Sequence, residues 1–288
     1  MKSCDDYKNI DRLIEEGYEY YIKDLYNEAI EVYKEALKQE CTDEVRAIIY
    51  NNIGNSYNNI KEYNKAKREY KEALKLKCTD ELRATIHNNI GNLYNNNGEY
   101  EKAIREYEES IKLENDDEQQ FEIYNKIGDL YYNKGEYDEA IQNYKKALKL
   151  KCTDELVGEI YNKIGNSYNN KGKYDEAISE YKEALKLRCT DELRATIYNN
   201  MGNSYNNKGK YDEAISEYKE ALKLKCTDEL LIEIYNNIGN IYYNKGEYDE
   251  AIKNYKKALN PQYTYELGAK IYNNIGSVFY YKKNIKRQ

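Results

Sequence analysis

The chain is expected to be all-α, a right-handed superhelical solenoid of antiparallel helix pairs. Three observations lead there. Cys4, Cys41, Cys78, Cys152, Cys189 and Cys226 stand on one 37-residue ruler, whose other marks fall on Asn115 and Tyr263. Each interval carries two stretches of apolar residues at helical spacing, and only 1 proline and 15 glycines interrupt 288 residues. Charged residues make up 34% against 40% hydrophobic ones, as suits helices that bury a single face. Strict self-similarity means stacked units that contact only their neighbours, with function on a continuous surface. The expected organisation is one solenoid over residues 1–288. Its repeats begin near 4, 41, 78, 115, 152, 189 and 226, and a partial repeat covers 263–288.

The repeat from Cys189 to Lys225 justifies each element in turn. Thr190 is placed to cap the first helix, and Asp191 and Glu192 put negative charge in its first turn, where the helix dipole favours it. Leu193, Ile197, Met201 and Tyr205 form an i, i+4, i+8, i+12 row that carries the helix to about Asn207. Gly209 supplies the left-handed residue that ends it, and Asp212 is expected to cap the next helix. Tyr211, Ala214, Ile215, Tyr218, Ala221 and Leu222 then make one apolar stripe. Gly202 and Ala214 are small where a neighbouring helix must come close. Most of the 36 tyrosines fall into four columns, represented by Tyr198, Tyr205, Tyr211 and Tyr218. These are expected to form the core, with ring hydroxyls at its rim.

The residues Tyr198, Met201, Gly202 and Tyr205, followed by Tyr211, Ala214, Tyr218 and Ala221, resemble the tetratricopeptide repeat. The proline that often closes such a repeat is replaced here by cysteine, as at Cys226. The period is 37 rather than the usual 34 or so, similar to the longer repeats of kinesin light chains and related cell-polarity adaptors. The resemblance covers essentially the whole chain. It is specific for fold and weak for function, because this fold hosts many partners.

Bulk properties narrow the function classes. Net charge is −7 and the pI about 5.2, with no basic stripe, so nucleic acid is not an expected partner. No stretch approaches ~18 consecutive apolar residues, so no membrane contact is expected and a cytoplasmic location is. Equivalent cysteines in neighbouring repeats lie at least one helix spacing apart, roughly 8–10 Å, too far for a disulfide. No CxxC pair and a single histidine leave no metal site, no cofactor pattern and no catalytic constellation, so an enzyme is not expected. His87 sits in a tyrosine column and is expected to be packed. Asn260-Pro261-Gln262-Tyr263 resembles an endocytic signal, but a proline just after a helix explains it more cheaply.

The chemistry lies in the asparagines. Ten residues after each mark from the second repeat on stands Asn51, Asn88, Asn125, Asn162, Asn199, Asn236 or Asn273. Four residues further come Asn55, Asn92, Asp129, Asn166, Asn203, Asn240 and Ser277. These columns share a helical face expected beside the buried stripe rather than within it. In the family that the chain resembles, this face lines the inner groove. An amide carries both a donor and an acceptor, so a ladder of them suits the backbone of an extended peptide. The resemblance implies that use. The alternative is nucleotide bias, although asparagine costs a helix roughly 0.5 kcal/mol relative to alanine, and the second helices carry Glu and Lys instead.

Lys126, Asp129 and Lys163 interrupt the ladder and are candidates for charge selectivity. The first repeat has Ile14, Glu15, Tyr18 and Tyr21 at those places, so the groove is expected to start at the second. The expected function is a non-enzymatic adaptor that binds an extended segment of another protein. Pentatricopeptide-like RNA binding is one alternative. A chaperone-tail receptor with a carboxylate clamp is another, but Ile14, Tyr18, Thr85 and Asn89 occupy the places where its lysines and arginines belong. The last helix, with Phe279, Tyr280 and Tyr281, is expected to cap the array, with weak homo-association as a further reading.

Overall fold

A computed structural model describes residues 4–259 and 265–285. Among them are fifteen α-helices and no strand. The Asn260-Pro261-Gln262-Tyr263 motif lies outside the described residues. The chain divides into two compact units, Met1–Lys134 and Gly135–Gln288. The first holds α1 (Cys4–Ile22), α2 (Tyr26–Leu37), α3 (Asp43–Asn59), α4 (Tyr63–Lys75), α5 (Asp80–Asn96), α6 (Tyr100–Leu113) and α7 (Asp117–Asn133). The second holds α8 (Tyr137–Ala147), α9 (Asp154–Asn170), α10 (Tyr174–Leu185), α11 (Asp191–Asn207), α12 (Tyr211–Ala221), α13 (Asp228–Asn244), α14 (Tyr248–Ala258) and α15 (Tyr265–Ile285). Within each unit, consecutive helices pack as pairs, and each pair stacks on the next.

The first helix of a repeat starts where a threonine can cap it. Thr42, Thr79, Thr153, Thr190 and Thr227 each accept a hydrogen bond from the backbone N–H three residues on, at 3.3–3.4 Å. Asp116 does the same for α7 at 2.9 Å. It ends where the chain turns left-handed, with Gly98, Gly172, Gly209 and Gly246 at φ from 72° to 76°. In the first two repeats Asp24 and Lys61 take this conformation at 59° and 61°. Asp212 does not cap α12. The N-cap is Lys210, no second helix has a side-chain cap, and Asp212 lies in the first turn with its carboxylate on Lys245 at 2.9 Å. That bond joins two repeats rather than opening one helix. Glu101–Lys134, Asp138–Lys171, Asp175–Lys208 and Asp249–Lys282 repeat it.

Of the four tyrosine columns, one forms the centre of the core. Tyr33, Tyr70, Tyr107, Tyr144, Tyr181, Tyr218 and Tyr255 are all fully buried, whereas the Tyr198 and Tyr211 columns are half-buried at most repeats. The reason is the small residue expected from the sequence. A Cβ at Gly54, Gly91, Gly202 or Gly239 would lie within 2.6 Å of a ring carbon of the buried tyrosine from the second helix. Glycine therefore makes the slot that lets the ring lie flat against the first helix. The other tyrosines pack at the edges of this contact, Tyr57 and Tyr94 among them buried, and the Tyr198 and Tyr211 columns reach the rim of the core as expected.

Candidate functional site

The first helices carry the asparagines, and within a unit these helices stand side by side, α3 with α5, and α11 with α9 and α13. The candidate columns separate into two kinds. In the first, the amide oxygen is taken by the core. Tyr70 donates its hydroxyl to Asn55 Oδ1, Tyr107 to Asn92, Tyr181 to Asn166, Tyr218 to Asn203 and Tyr255 to Asn240, at 2.6–2.7 Å. A buried phenol needs an acceptor, and these asparagines supply it. Among the described residues their Nδ2 groups have no hydrogen-bond partner. The side chains are half-buried and these nitrogens are not among the buried unpaired atoms, so their N–H donors face solvent.

The second column works between repeats. Asn89 Nδ2 donates to Asn51 Oδ1 at 2.9 Å, Asn200 to Asn162 at 3.0 Å and Asn274 to Asn236 at 2.9 Å. Lys126 Nζ takes the same donor role toward Asn88 at 3.3 Å. Asn51, Asn162 and Asn199 are buried, not placed beside the apolar stripe as expected, because the neighbouring first helix covers them. Asn273 is exposed. Asn125 is half-buried. The row breaks at Asn199, whose Nδ2 donates to Glu233 at 2.9 Å while its Oδ1 is buried without a partner. Asn237, the donor expected there, turns instead to Asn203 at 3.1 Å.

The donor column of Asn52, Asn89, Asn200, Asn237 and Asn274 was not singled out from the sequence. Its signal was present as the recurring Asn-Asn pair, Asn51-Asn52 to Asn273-Asn274, which reads as one acceptor and one donor facing opposite neighbours. Lys126 and Lys163 occupy this donor column. Lys126 also pairs with Glu122 at 2.8 Å and lies 6.0 Å from the Tyr107 ring centre, and Lys163 lies 5.9 Å from that of Tyr144. Asp129 stands in the other column, replacing an amide by a half-buried carboxylate.

At the first repeat the face changes character. Tyr18, Tyr21 and Tyr33 with Asn52 and Asn55 line a small cleft of about 60 Å³, and Tyr21 Oη accepts from Asn59 at 2.9 Å. Tyr33 has no asparagine at the Asn55-type place of its own repeat, since Tyr18 stands there. Burial pushes its phenol up to about 12, with Asn52 opposing as a hydrogen-bond partner. His87 is half-buried and pairs through Nδ1 with Glu106 at 2.8 Å, as a packed residue in its column should.

The cysteines lie at the turns. Cys41, Cys78, Cys152, Cys189 and Cys226 are half-buried free thiols, while the Cys4 side chain is outside the described residues. Burial pushes the Cys78, Cys189 and Cys226 thiols up, and the first-turn carboxylates beside each sulfur add to it.

Profiles of the tetratricopeptide repeat match residues 47–77, 82–153, 156–227 and 232–260. The chain belongs to the tetratricopeptide repeat family. Solved structures agree on the fold of this tetratricopeptide repeat protein. One is the C-terminal part of a TPR repeat-containing protein from Cytophaga hutchinsonii, with a TM-score of 0.69 at 18% identity, covering 91% of this chain and 99% of that one. The apo form of RapI has a TM-score of 0.70 at 17% identity, covering 96% and 86%. MamA reaches 30% identity with a TM-score of 0.51, over 62% of this chain and 90% of its own. No curated protein matches the sequence. The tetratricopeptide fold is a scaffold for protein interaction, and no described helix is long and apolar enough to cross a membrane.

Proposed function

We propose that this tetratricopeptide repeat protein is a non-catalytic scaffold that holds an extended segment of another protein along its first helices. One observation carries the reading. Asn55 and Asn92 in the first unit, and Asn166, Asn203 and Asn240 in the second, have their amide oxygen fixed by a buried tyrosine and their N–H donors open to solvent. Fixing one end of the amide orients the other, so the donors need no ordering when a ligand arrives. Packed helices stand roughly 10 Å apart and an extended chain advances about 3.3 Å per residue, so successive donors meet about every third carbonyl. Backbone carbonyls recur whatever the side chains, so such a row makes little demand on sequence. The Asn51 column contributes from beneath, keeping neighbouring first helices in register.

Lys126, Asp129 and Lys163 then supply what selectivity there is, through the charge of the ligand side chains that pass them.

The test separates donor from acceptor. Replacing Asn166, Asn203 and Asn240 together by aspartate keeps an oxygen for each tyrosine hydroxyl and removes the donors. A peptide selected on the parent protein from a library of unstructured sequences should lose about 100-fold in affinity by fluorescence anisotropy, three bonds at roughly 1 kcal/mol each with allowance for non-additivity. The loss should persist in high salt, which screens the added charge. Unchanged binding would leave these asparagines as structural residues only.

A further inference from the structure

The first repeat departs from the others on the face that carries the asparagine donors. Tyr70, Tyr107, Tyr181, Tyr218 and Tyr255 each give their hydroxyl proton to an asparagine of the first helix. Tyr33 belongs to the same column and is only 1% exposed, but Tyr18 stands where its asparagine would be. Among the described residues its hydrogen-bond partner is Asn52, whose bond lowers the phenol against the effect of burial, as an N–H donated to the phenol oxygen does. The Tyr33 O–H is therefore left without an acceptor. It ends in the cleft of about 60 Å³ that Tyr18 and Tyr21 of α1 share with Asn52 and Asn55 of α3.

This cleft lies at the junction of two repeats that are both in place. Tyr21 accepts from Asn59 of the next repeat at 2.9 Å, and Tyr18 holds the place of Asn203, which accepts from Asn237 one repeat on. Its walls are aromatic rings. Tyr18 is 58% exposed, and Tyr21 meets Tyr26 edge-on at 5.4 Å, whose hydroxyl donates to Asp24 at 2.6 Å. Its open polar groups are of one kind. Tyr21 and Asn55 already accept, from Asn59 and from Tyr70, so each offers its remaining O–H or N–H, as Tyr33 does. No lysine, arginine or carboxylate lines the space.

Those features select an occupant. A carboxylate would sit among rings with no cation to pair it, at a cost its hydrogen bonds do not recover. An ordinary peptide unit brings an N–H with its carbonyl, and that donor would face donors. The peptide unit before a proline has a carbonyl and no N–H, so it offers an acceptor alone. The pyrrolidine ring suits a space far below the roughly 300 Å³ of a small-molecule pocket. Proline-rich segments also hold the extended polyproline II form that aromatic-lined grooves take up. We infer that this cleft is an anchoring subsite for a proline of the bound segment, with the ring between Tyr18 and Tyr21 and the preceding carbonyl on the Tyr33 and Asn55 donors. The inference rests on the asparagine face being a groove for an extended segment, which it lengthens by one repeat and gives a fixed starting point.

A fluorescein-labelled peptide of roughly nine prolines, three turns of polyproline II, reads the cleft by anisotropy against a Gly-Ser peptide of equal length. The parent chain should bind the proline peptide at least about tenfold more tightly than the control. Tyr18→Asn installs the residue that the column carries at Asn55, Asn92 and Asn166, which gives the Tyr33 hydroxyl its acceptor and removes one wall. This variant should melt at or above the parent and lose the preference for proline. Tyr33→Phe keeps the ring and removes the donor, so it should weaken the proline peptide about fivefold with helical ellipticity unchanged. A parent without preference for the proline peptide overturns the inference, as does a folded Tyr18→Asn protein that binds it as the parent does. Failure of the groove itself is read separately, from the aspartate variant of Asn166, Asn203 and Asn240 with its library-selected peptide, because none of those three residues lines the cleft.

Discussion

Gly202 and Gly276 occupy the same place in their repeats and have opposite surroundings. At Gly202 an added methyl would meet the Tyr218 ring at 2.6 Å, with that ring fully buried and nowhere to go. Gly202→Ala should therefore destabilise by roughly 1–3 kcal/mol despite alanine's better helix propensity. Gly276→Ala meets nothing and should stabilise by up to about 1 kcal/mol. Urea denaturation of the two variants decides it, and equal effects would remove the slot from the account. A similar asymmetry holds across the Tyr218–Asn203 bond. Tyr218→Phe leaves Asn203 Oδ1 still accepting from Asn237, whereas Asn203→Ala strands a buried hydroxyl at a cost of about 1–3 kcal/mol. The alanine variant should thus melt well below the phenylalanine one. At the turns, the raised Cys78, Cys189 and Cys226 thiols should alkylate more slowly at neutral pH than an exposed cysteine, and catch up on denaturation.

The helices themselves were readable because each boundary has a local cause. Thr190 three residues before Leu193, and Gly209 after Asn207, are short-range signals, and α11 begins and ends where they place it. The start of the second helix has no such local cause. Asp212 looks like a cap in sequence, but its partner Lys245 is one repeat away, and no local pattern reveals a bond across 33 residues. That inter-repeat row has a pH signature. The Lys171 and Lys208 ammonium groups hold the Asp138 and Asp175 carboxyls below the usual carboxylate range. A depressed acid stabilises the fold above its unfolded value, near pH 3.9, and the contribution disappears as pH falls through the folded value. Lys171→Met with Lys208→Met should lower the denaturation midpoint at pH 7 and converge with the parent near pH 2. Parallel curves over that range would mean that the pairs contribute nothing.

For the molecule as a whole, an array held by nearest-neighbour contacts has its weakest protection where a neighbour is missing. Native-state hydrogen exchange should be fastest in α1 and α15 and slowest in first helices flanked on both sides, such as α3 and α11. Uniform protection along the chain would contradict a stack of repeats. The same logic explains how much of the candidate site could be read in advance. A column at 37-residue spacing announces that asparagine matters, and the sequence places Asn55, Asn166 and Asn203 on one face. It does not say what each amide bonds. Asn51 and Asn162 are drawn into the stack by a neighbour 38 residues away, and Asn166 is tied to a tyrosine 15 residues away on the facing helix. Both bonds depend on the rotation between helices, which periodicity alone leaves open.

The column of buried tyrosines also sets how the protein meets alkali. The chain has no tryptophan, so its near-ultraviolet absorbance is that of its tyrosines. Burial raises the Tyr33 and Tyr255 phenols to about 12 and carries those of Tyr70, Tyr107 and Tyr218 higher still. An unfolded phenol ionises near pH 10, so the native state keeps its full advantage below that value and loses it as the pH climbs. In a spectrophotometric titration, ionisation of this column should arrive as one late, abrupt step in phenolate absorbance, coincident with the collapse of helical ellipticity. The phenolate signal would then serve as a label-free clock for unfolding, supplied by the same rings that the glycine slots hold in place.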